Sequence, residues 1–259
     1  MTPLWSKKGA NLALFLPNTN MISIPLNLSY DQNCSYLPMR KERLLFVDSD
    51  FPLTTDAYAE LAARGFRRSG NLVYRPHCSH CSACLPVRVP ASQFRPSRIH
   101  RRICRSNSDL VVTTHPAGFK DEHYSLYKRY LESRHPKGTM ITGDTDDYLQ
   151  FLTSHWCETE FVEFNLSGKV IAVAIVDILP TGLSAVYTFY DPDLLPRSLG
   201  IYAILWEIEY TKEKGLPWLY LGYWVQECRK MSYKGNFRPM EVFRNDRWIL
   251  LKKGEEFTF

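Results

Sequence analysis

Residues 161–190 are FVEFNLSGKVIAVAIVDILPTGLSAVYTFY, and residues 198–223 are SLGIYAILWEIEYTKEKGLPWLYLGY. In the first stretch, apolar residues alternate with polar ones or run together with β-branched side chains, which is typical of strands. In the second, apolar residues recur at helical spacing until Gly215, a residue type that commonly ends helices. The pattern predicts three strands, a helix and a fourth strand: Phe161–Asn165, Val170–Ile178, Ser184–Tyr190, Ser198–Lys214 and Trp218–Tyr223.

Turn signals and further helices surround these elements. Ser167-Gly168-Lys169 predicts a tight hairpin between the first two strands. Two amphipathic helices are expected upstream, over residues 121–135 and 145–155. Strands and helices mixed in this way predict an α/β (α+β) fold.

A smaller α/β unit with several cysteines precedes this region. Thr54-Thr55-Asp56 is a helix-start cluster before an Ala-rich segment, and Ser69-Gly70-Asn71 predicts a second hairpin. We therefore expect three segments. They are an N-terminal extension over 1–33, in which Met21 could be an alternative start, a cysteine-containing N-terminal domain over 34–115, and a C-terminal domain over 116–250.

Length and composition exclude several classes of protein. The chain has 259 residues and is 45% hydrophobic, enough to bury a core and unlike a disordered tail. No apolar run approaches the roughly 18–20 residues of a membrane-spanning helix. The apolar segment 11–17 is short, ends in Pro17-Asn18 and lacks a small-residue cleavage pattern, so it is not typical of a signal peptide. The seven cysteines are odd in number, which favours free thiols or metal ligands in a reducing cytoplasm over disulfides.

Positive charge is concentrated in one window. Residues 61–108 contain ten arginines and no Lys, Asp or Glu, although the net charge of the whole chain is only +5. Arginine grips phosphate with two parallel hydrogen bonds and stacks on bases, whereas lysine is a point charge. The window predicts binding of a polyanion, and nucleic acid is the obvious candidate. The alternative is an arginine-rich surface that only keeps the protein soluble.

Four of these arginines share one face of a predicted helix. Ser97 is a favoured N-cap residue ahead of the helix 98–105. The four are spaced at i, i+3, i+4 and i+7, where like charges repel each other by a few tenths of a kcal/mol per pair. An anion on this face would neutralise them. The predicted nucleic-acid-binding residues are Arg98, Arg101, Arg102 and Arg105.

Three closely spaced cysteines are candidate metal ligands. Cys78, Cys81 and Cys84 lie three residues apart, as in loops whose thiolates converge on one ion. A zinc or iron–sulfur site needs a fourth ligand, and Cys34 or Cys104 could supply it. The alternative is a loop of buried or redox-active thiols.

Two further segments could carry chemistry, although no Ser/His/Asp or Cys/His constellation is present. The turn that leads into Ser198, Leu199 and Gly200 could present backbone N–H groups to a phosphate or an oxyanion. Many strand-to-helix turns look alike, so the spacing alone is weak. Tyr223, Lys230 and Tyr233 place aromatic rings among cations, which suits a nucleotide end or an ordinary solvated strand edge equally well.

Several motifs together resemble one family. They are Phe66-Arg-Arg-Ser-Gly, Tyr74-Arg-Pro-His-Cys, Cys84-Leu-Pro-Val-Arg-Val, Phe94-Arg-Pro-Ser, the run from His100 to Leu110, Tyr190-Asp-Pro-Asp, Ser198-Leu-Gly, Tyr220-Leu-Gly-Tyr and Lys230-Met-Ser-Tyr-Lys-Gly-Asn-Phe-Arg-Pro. The chain resembles the arginyl-tRNA–protein transferases from about residue 34 to residue 245. Its short length and compact cysteine loop are similar to the bacterial branch of that family.

The resemblance implies a function. The bacterial branch transfers leucine from leucyl-tRNA to proteins that begin with Asp or Glu, and the product is an N-degron read by an adaptor and a protease. It implies a C-terminal half similar to GNAT acyltransferases, with the tRNA 3′ end in place of acyl-CoA. For this reaction we expect Lys230 and Tyr233 at the acceptor end and Tyr223 in orienting the reacting groups. Eukaryotic relatives can hold an iron–sulfur cluster through adjacent cysteines, a pattern that the Cys-x-x-Cys-x-x-Cys loop replaces here.

The residues are consistent with this chemistry. Aminolysis of an activated ester needs proximity and an oxyanion donor, and no cofactor is required. An α-amino group with a pKa near about 7.7–8.0 is already partly neutral, so a strong general base is unnecessary. Three alternatives stay open: an arginyl-tRNA donor, a CoA-dependent N-acetyltransferase that uses the turn before Gly200, and a zinc-dependent nucleic-acid-binding module.

Overall fold

The computed structural model describes residues 5–15, 21–136, 143–255 and 257. Its elements in chain order are β1 (Trp5–Phe15), β2 (Met21–Ser29), β3 (Gln32–Asn33), β4 (Lys41–Glu42), β5 (Leu44–Val47), α1 (Thr55–Ala62), β6 (Arg67–Ser69), β7 (Leu72–Pro76), β8 (Leu85–Pro90), α2 (Arg98–Ser106), β9 (Val111–Pro116), α3 (Asp121–Arg134), α4 (Thr145–Leu152), β10 (Thr159–Leu166), β11 (Lys169–Leu179), β12 (Gly182–Tyr190), α5 (Leu199–Glu213), β13 (Trp218–Trp224), β14 (Met240–Arg244) and β15 (Arg247–Leu251). The expected mixed α/β class is confirmed.

The chain forms two compact units. Unit 1 comprises Met1–Pro90 and Tyr220–Phe259, and unit 2 comprises Ala91–Leu219. This division differs from the expected domains 34–115 and 116–250. The reason is a long-range pairing, since β14 lies antiparallel to β8 and so returns the C-terminal segment to unit 1. Sequence periodicity carries no information about which distant strands pair.

Unit 1 contains a five-stranded antiparallel sheet in the order β1-β2-β5-β7-β6. Within it, β2 pairs with β5 and buries Ile24 and Leu26. Residues 5–15 and 21–29 of the expected extension 1–33 are therefore strands of this sheet, while Gln32–Asn33 pair with β4, and that expectation is corrected. Residues 1–4 and 16–20 of the same segment lie outside the described residues.

The helix α1 of unit 1 forms as its sequence predicts. The Thr54 side chain accepts a hydrogen bond from the Ala57 N–H, and Tyr58 and Leu61 are fully buried. Gly65 follows with φ of +80°, and a Cβ at this position would lie 2.7 Å from Pro86 Cγ. Both the backbone conformation and the close approach require glycine here.

Unit 1 also contains strands in the order β15-β14-β8-β13, of which β13 belongs to it from Tyr220 onward. Arg88 and Glu241 are paired across β8 and β14, and Arg88 Nε lies 2.6 Å from the Glu241 carboxylate. The Arg88 guanidinium also lies 4.2 Å from the centroid of the Trp248 ring. Charge and cation–π contacts together hold these strands.

Unit 2 is built on an antiparallel sheet in the order β12-β11-β10-β9. The predicted hairpin is present, with Ser167 and Gly168 both at positive φ between β10 and β11. Nearly every residue of β11 is buried. Because successive side chains of a strand point to opposite faces, both faces of the sheet are covered at β11.

The helices of unit 2 cover this sheet. Leu131 of α3 and Leu152 of α4 are fully buried and pack with Phe161 and Phe189 of the sheet. α5 buries Ala203 and Ile208 completely. Helices were predicted over 98–105, 121–135, 145–155 and 198–214, and all four are confirmed with shifted ends. None of the described helices is long and apolar enough to cross a bilayer.

Candidate functional site

The arginine face predicted on α2 exists and is open to solvent. The Ser97 side chain accepts from the His100 N–H, and His100 returns a bond to the Ser97 N–H, so the helix begins with a capping box. His100 and Ile103 form its buried face. The four arginines on the opposite side, Arg98, Arg101, Arg102 and Arg105, are all exposed.

These arginines have almost no protein partners. Arg101 donates to the Pro96 carbonyl at 2.6 Å. None of the four forms a salt bridge with any residue in the described part of the chain. Since the charges are uncompensated, the face has the character expected for an anion-binding surface. Binding of tRNA there stays a prediction.

The turn before α5 is held at both ends. At its start, Arg129 donates to the buried Asp191 carboxylate at 2.9 Å. At its end, the Asn107 amide donates to the Arg197 carbonyl at 2.8 Å, and the Arg197 guanidinium pairs with Asp109 at 2.8 Å. Asn107 immediately follows α2, so the arginine-bearing helix is tied directly to this turn.

The start of α5 carries backbone donors that have no acceptor among the described residues, although Leu199 itself is buried. Ser198 adopts the left-handed conformation with φ of +54°, and its N–H donates to the Leu195 carbonyl. The N–H groups of Leu199 and Gly200 begin the helix and have no acceptor among the described residues. Such groups, together with the helix dipole, favour a negative charge. The predicted oxyanion or phosphate role of Ser198, Leu199 and Gly200 stays a prediction.

The three predicted catalytic residues have different environments. Tyr223 is buried, and its hydroxyl lies 3.1 Å from the carbonyl oxygens of both Gly65 and Tyr74. Burial raises the pKa of Tyr223 well above its usual value. Lys230 is exposed and Tyr233 is half-buried. The Tyr223 hydroxyl thus links β13 to the segments that carry Gly65 and Tyr74. Catalytic roles for Tyr223, Lys230 and Tyr233 stay predictions.

Lys234 is a residue that sequence reasoning missed. It is buried, and its Nζ donates to the carbonyls of Leu221 at 2.7 Å and Tyr223 at 3.0 Å. Burial, helped by the nearby Arg67 charge, lowers the pKa of Lys234 to about 7. The only sequence signal was its place beside Tyr233 in the Lys230–Pro239 motif, because nothing in a local pattern distinguishes a buried lysine from an exposed one.

Four cysteines line one cavity of unit 1. Cys34, Cys78, Cys81 and Cys84 border a space of about 460 Å³. The Arg40 guanidinium donates to Cys81 Sγ at 3.3 Å. The structure therefore brings together the four predicted metal ligands, whereas Cys104 lies in α2 and does not line this cavity.

The arrangement does not fit a bound metal ion or cluster. Within the described ranges, no three His, Cys, Asp or Glu side chains are placed to hold one ion together. Burial and neighbouring thiols raise the pKa of Cys84 to about 12, and burial raises that of Cys78. Since a bound metal displaces thiol protons, the misfit lies in the placement of the side chains. We derive no reaction step through a metal here.

A second titratable cluster lies in unit 2. His123 Nε2 lies 2.8 Å from the Glu163 carboxylate, Lys120 contacts the same oxygen, and His115 lies 3.4 Å from the other. Burial raises the pKa of Glu163, but Lys120 and His123 outweigh it and the pKa lies below its usual value. His123 is 1% exposed, so the cluster joins α3 to β10.

Comparison with known proteins agrees with these motifs. The protein family described as "Arginine-tRNA-protein transferase, N terminus" matches residues 32–102. The family described as "Arginine-tRNA-protein transferase, C terminus" matches residues 122–244. The two matched ranges together run from residue 32 to residue 244, close to the bounds of the resemblance, about 34 to 245.

Curated relatives match over nearly their full lengths. The chain is 50% identical over 218 residues to an aspartate/glutamate leucyltransferase of Pseudomonas aeruginosa strain LESB58, covering 84% of this chain and 93% of the relative. It is 46% identical over 233 residues to that of Pseudomonas fluorescens, covering 90% and 99%. It is 50% identical over 228 residues to that of Nitrosococcus oceani, covering 87% and 95%.

Solved structures match more distantly. FemX has a TM-score of 0.44 at 9% identity, over 82% of this chain and 79% of its own. The L-PGS structure from Bacillus licheniformis has a TM-score of 0.41 at 13% identity, over 54% and 45%. These values carry no argument about the function, and the GNAT-like fold of the C-terminal half stays a prediction.

Proposed function

Because the chain belongs to the arginine-tRNA–protein transferase family, we propose that it transfers leucine from leucyl-tRNA to the N-terminus of proteins that begin with Asp or Glu. The transferred leucyl group and the acceptor residues are those in the names of relatives that are 46% and 50% identical over nearly their whole length, and the tRNA donor is that in the description of the family. In this proposal, the new N-terminal leucine is an N-degron that an adaptor and a protease recognise. A tRNA substrate places the reaction in the cytoplasm.

The reaction is an aminolysis. The neutral α-amino group of the acceptor attacks the ester carbonyl of leucyl-tRNA, and a C–N bond forms. The tetrahedral intermediate carries a negative oxygen until the C–O bond to the terminal ribose breaks. The ribose hydroxyl leaves with the proton that the amine loses. No atom changes oxidation state, so the proposal needs no cofactor.

One observation supports the proposal most directly: the hydrogen bond from Asn107, at the end of α2, to the Arg197 carbonyl in the turn before α5. It couples an exposed arginine face to a helix start whose first N–H groups have no acceptor among the described residues. Arginines on α2 would contact tRNA phosphates. Such contacts position the tRNA on the protein but do not read its sequence. The N–H groups of Leu199 and Gly200 would lie at the reacting end.

Those two N–H groups suit the developing charge. Preorganised backbone donors act on the oxyanion without reorganisation, and removing one such donor typically costs about 3–4 kcal/mol of barrier. The salt bridges of Arg129 with Asp191 and of Arg197 with Asp109 fix the turn that leads to these donors. Holding the acceptor amine next to the ester carbonyl supplies much of the remaining reduction in the activation barrier.

The test is a transfer assay with purified protein. Radiolabelled leucyl-tRNA is offered with peptides that begin with Asp, Glu or Asn. We expect label on the Asp and Glu peptides and little on the Asn peptide. Transfer to none of the peptides, or acetylation of them when acetyl-CoA replaces the tRNA, would overturn the proposal in favour of a nucleic-acid-binding module or an acetyltransferase.

A further inference from the structure

Tyr190 is the last residue of β12 and contacts the start of α5 within unit 2. A Cβ on Gly200 would lie 3.2 Å from Tyr190 Cε1 and 3.8 Å from Cδ1. Both atoms belong to one edge of the ring, so the helix start meets that edge and the residue remains half-buried. A larger residue at position 200 would push the ring away from the helix start.

Other aromatic rings of unit 2 support Tyr190. The Tyr130 ring of α3 packs against it in a T-shaped arrangement, with 5.0 Å between the ring centroids. Tyr130 also packs against Tyr187 at 6.3 Å, and burial raises the pKa of Tyr187. Tyr190 is therefore the member of this aromatic group that reaches the helix start, and packed rings hold it in place.

An exposed cation lies beside the Tyr190 ring. Arg134, the last residue of α3, donates from Nη2 to the Tyr190 hydroxyl at 3.3 Å. Two nearby cations, Arg129 and Lys169, lie 2.9 and 3.5 Å from the Asp191 carboxylate. Arg134 forms no salt bridge with any residue that the structure describes, and its charge is available to an external anion.

A ring beside an uncompensated guanidinium matches the two parts of a nucleotide. The ring offers a stacking surface to a base, and such stacking tolerates any base because every base has a π-face. The guanidinium matches a phosphate through charge-assisted hydrogen bonds. A carboxylate would use the cation and leave the ring without a role, so a nucleotide is the better match.

The same residues lie where the proposed reaction takes place. In that reaction, the N–H groups of Leu199 and Gly200 act on the ester carbonyl, and the terminal ribose of the tRNA carries the ester. The base and phosphate of the terminal nucleotide are attached to that ribose, so they must lie close to the start of α5. Tyr190 contacts Gly200 and is within reach of that nucleotide.

We propose that Tyr190 and Arg134 bind the 3′-terminal nucleotide of the aminoacyl-tRNA. The base stacks on the Tyr190 ring, and Arg134 pairs with the phosphate. This inference rests on the proposed function, because it names the residues that hold the reacting end of that reaction's donor. The arginines of α2 then contact phosphates farther from the ester.

The measurement is binding of a stable analogue of the tRNA end to the purified full chain. The probe is the trinucleotide CCA with leucine joined to its 3′ carbon through an amide, and calorimetry gives the Kd. Tyr190→Leu should raise the Kd by about fivefold or more, because base stacking is lost. Tyr190→Phe keeps the ring and should stay within about twofold of wild type. Arg134→Gln should raise the Kd and reduce the slope of log affinity against log salt concentration by about 0.7.

Three control variants complete the experiment. Tyr210→Leu removes a half-buried tyrosine near the other end of α5, and Arg247→Gln removes an exposed arginine of β15. Both should bind the trinucleotide as wild type does. Arg102→Ala should weaken binding of whole leucyl-tRNA and leave the trinucleotide unaffected. If Tyr190→Leu fails to fold, Arg134→Gln still tests the inference, because it changes only an exposed side chain.

The outcomes separate this inference from the proposed function. If wild type binds the trinucleotide through Tyr190 and Arg134 but transfers leucine to no peptide, the proposed function alone fails. If wild type transfers leucine but does not bind the trinucleotide, or if the Tyr190→Leu and Arg134→Gln variants bind it as tightly as wild type, the inference alone is overturned. A lowered preference of Arg134→Gln for Asp over Asn peptides, with unchanged trinucleotide binding, would also overturn it and would assign Arg134 to the acceptor carboxylate.

Discussion

Lys234 Nζ lies 2.7 Å from the carbonyl oxygen of Leu221, and the same nitrogen donates to the carbonyl of Tyr223. Gly222, between these residues, has φ of +74°, and a Cβ there would lie 3.0 Å from Arg67 Nη1. The lysine therefore satisfies two carbonyls beside a point where β13 leaves ordinary strand geometry. It stabilises the strand that carries Tyr223.

Replacing Lys234 should have a pH-dependent effect on stability. The pKa of Lys234 is about 7 in the folded protein, against about 10.4 when unfolded, so the unfolded state binds more protons between these values. Wild-type stability should therefore rise with pH across this range. Lys234→Met leaves buried carbonyls unpaired and should lose about 2 kcal/mol at pH 9, but less at pH 6.

Urea unfolding at several pH values measures this difference. Lys253→Met, which removes an exposed lysine, is the control and should show no such trend. A destabilisation by Lys234→Met that stays constant from pH 6 to pH 9 would contradict the lowered pKa.

Removing arginines from α2 should weaken tRNA use without unfolding the protein. Arg102→Ala deletes an exposed side chain, and Arg101→Ala loses in addition the contact to the Pro96 carbonyl. Each change should raise the KM for leucyl-tRNA and reduce the slope of log affinity against log salt concentration by about one. Thermal unfolding should stay close to wild type. Arg247→Ala is the matched control, and an unchanged affinity in both α2 variants would refute the role of this face.

The cysteine cavity should bind no stoichiometric metal. We expect elemental analysis of the purified protein to find well under one zinc or iron per chain, and transfer activity should survive a chelator. Because the pKa of Cys84 is about 12, its alkylation by iodoacetamide at pH 7.5 should be slow. One tightly bound ion per chain, lost together with activity on chelation, would show that the cysteines rearrange around a metal.

Acid should selectively weaken the contact between α3 and β10. The folded pKa of Glu163 lies below its unfolded value, so its contribution is present above the unfolded pKa and disappears as pH falls through the folded one. Glu163→Gln should therefore cost about 1 kcal/mol of stability at pH 7, because it removes the negative charge that pairs with Lys120, whereas burial lowers the pKa of His123 and keeps that side chain neutral. Guanidinium unfolding at pH 7 and pH 3.5 checks this, and an equal loss at both would argue against the charge effect.

Local features were predictable because neighbouring residues determine them. The N-cap Ser97, the arginine spacing on α2 and the hairpin at Gly168 all follow from patterns within about ten residues, and the structure has all three. The same holds for the start of α1 at Thr54.

Long-range features were not predictable from one sequence. The pairing of β2 with β5 and of β14 with β8 joins segments far apart in the chain. The burial of Lys234, the unsatisfied Nη1 of Arg238 and the shared cavity of the cysteines depend on that same assembly. Composition marks these residues as polar, and only the fold places them inside.

The central claim is leucyl transfer to an acidic N-terminus, and the identity of the transferred residue tests it most directly. Asp- and Glu-initiated peptides are incubated with leucyl-tRNA and arginyl-tRNA in parallel, and mass spectrometry identifies the adduct. We predict a leucine adduct on the N-terminal amino group of both peptides and none from arginyl-tRNA. An arginine adduct would contradict the donor assignment, and no adduct from either tRNA would contradict the transferase itself.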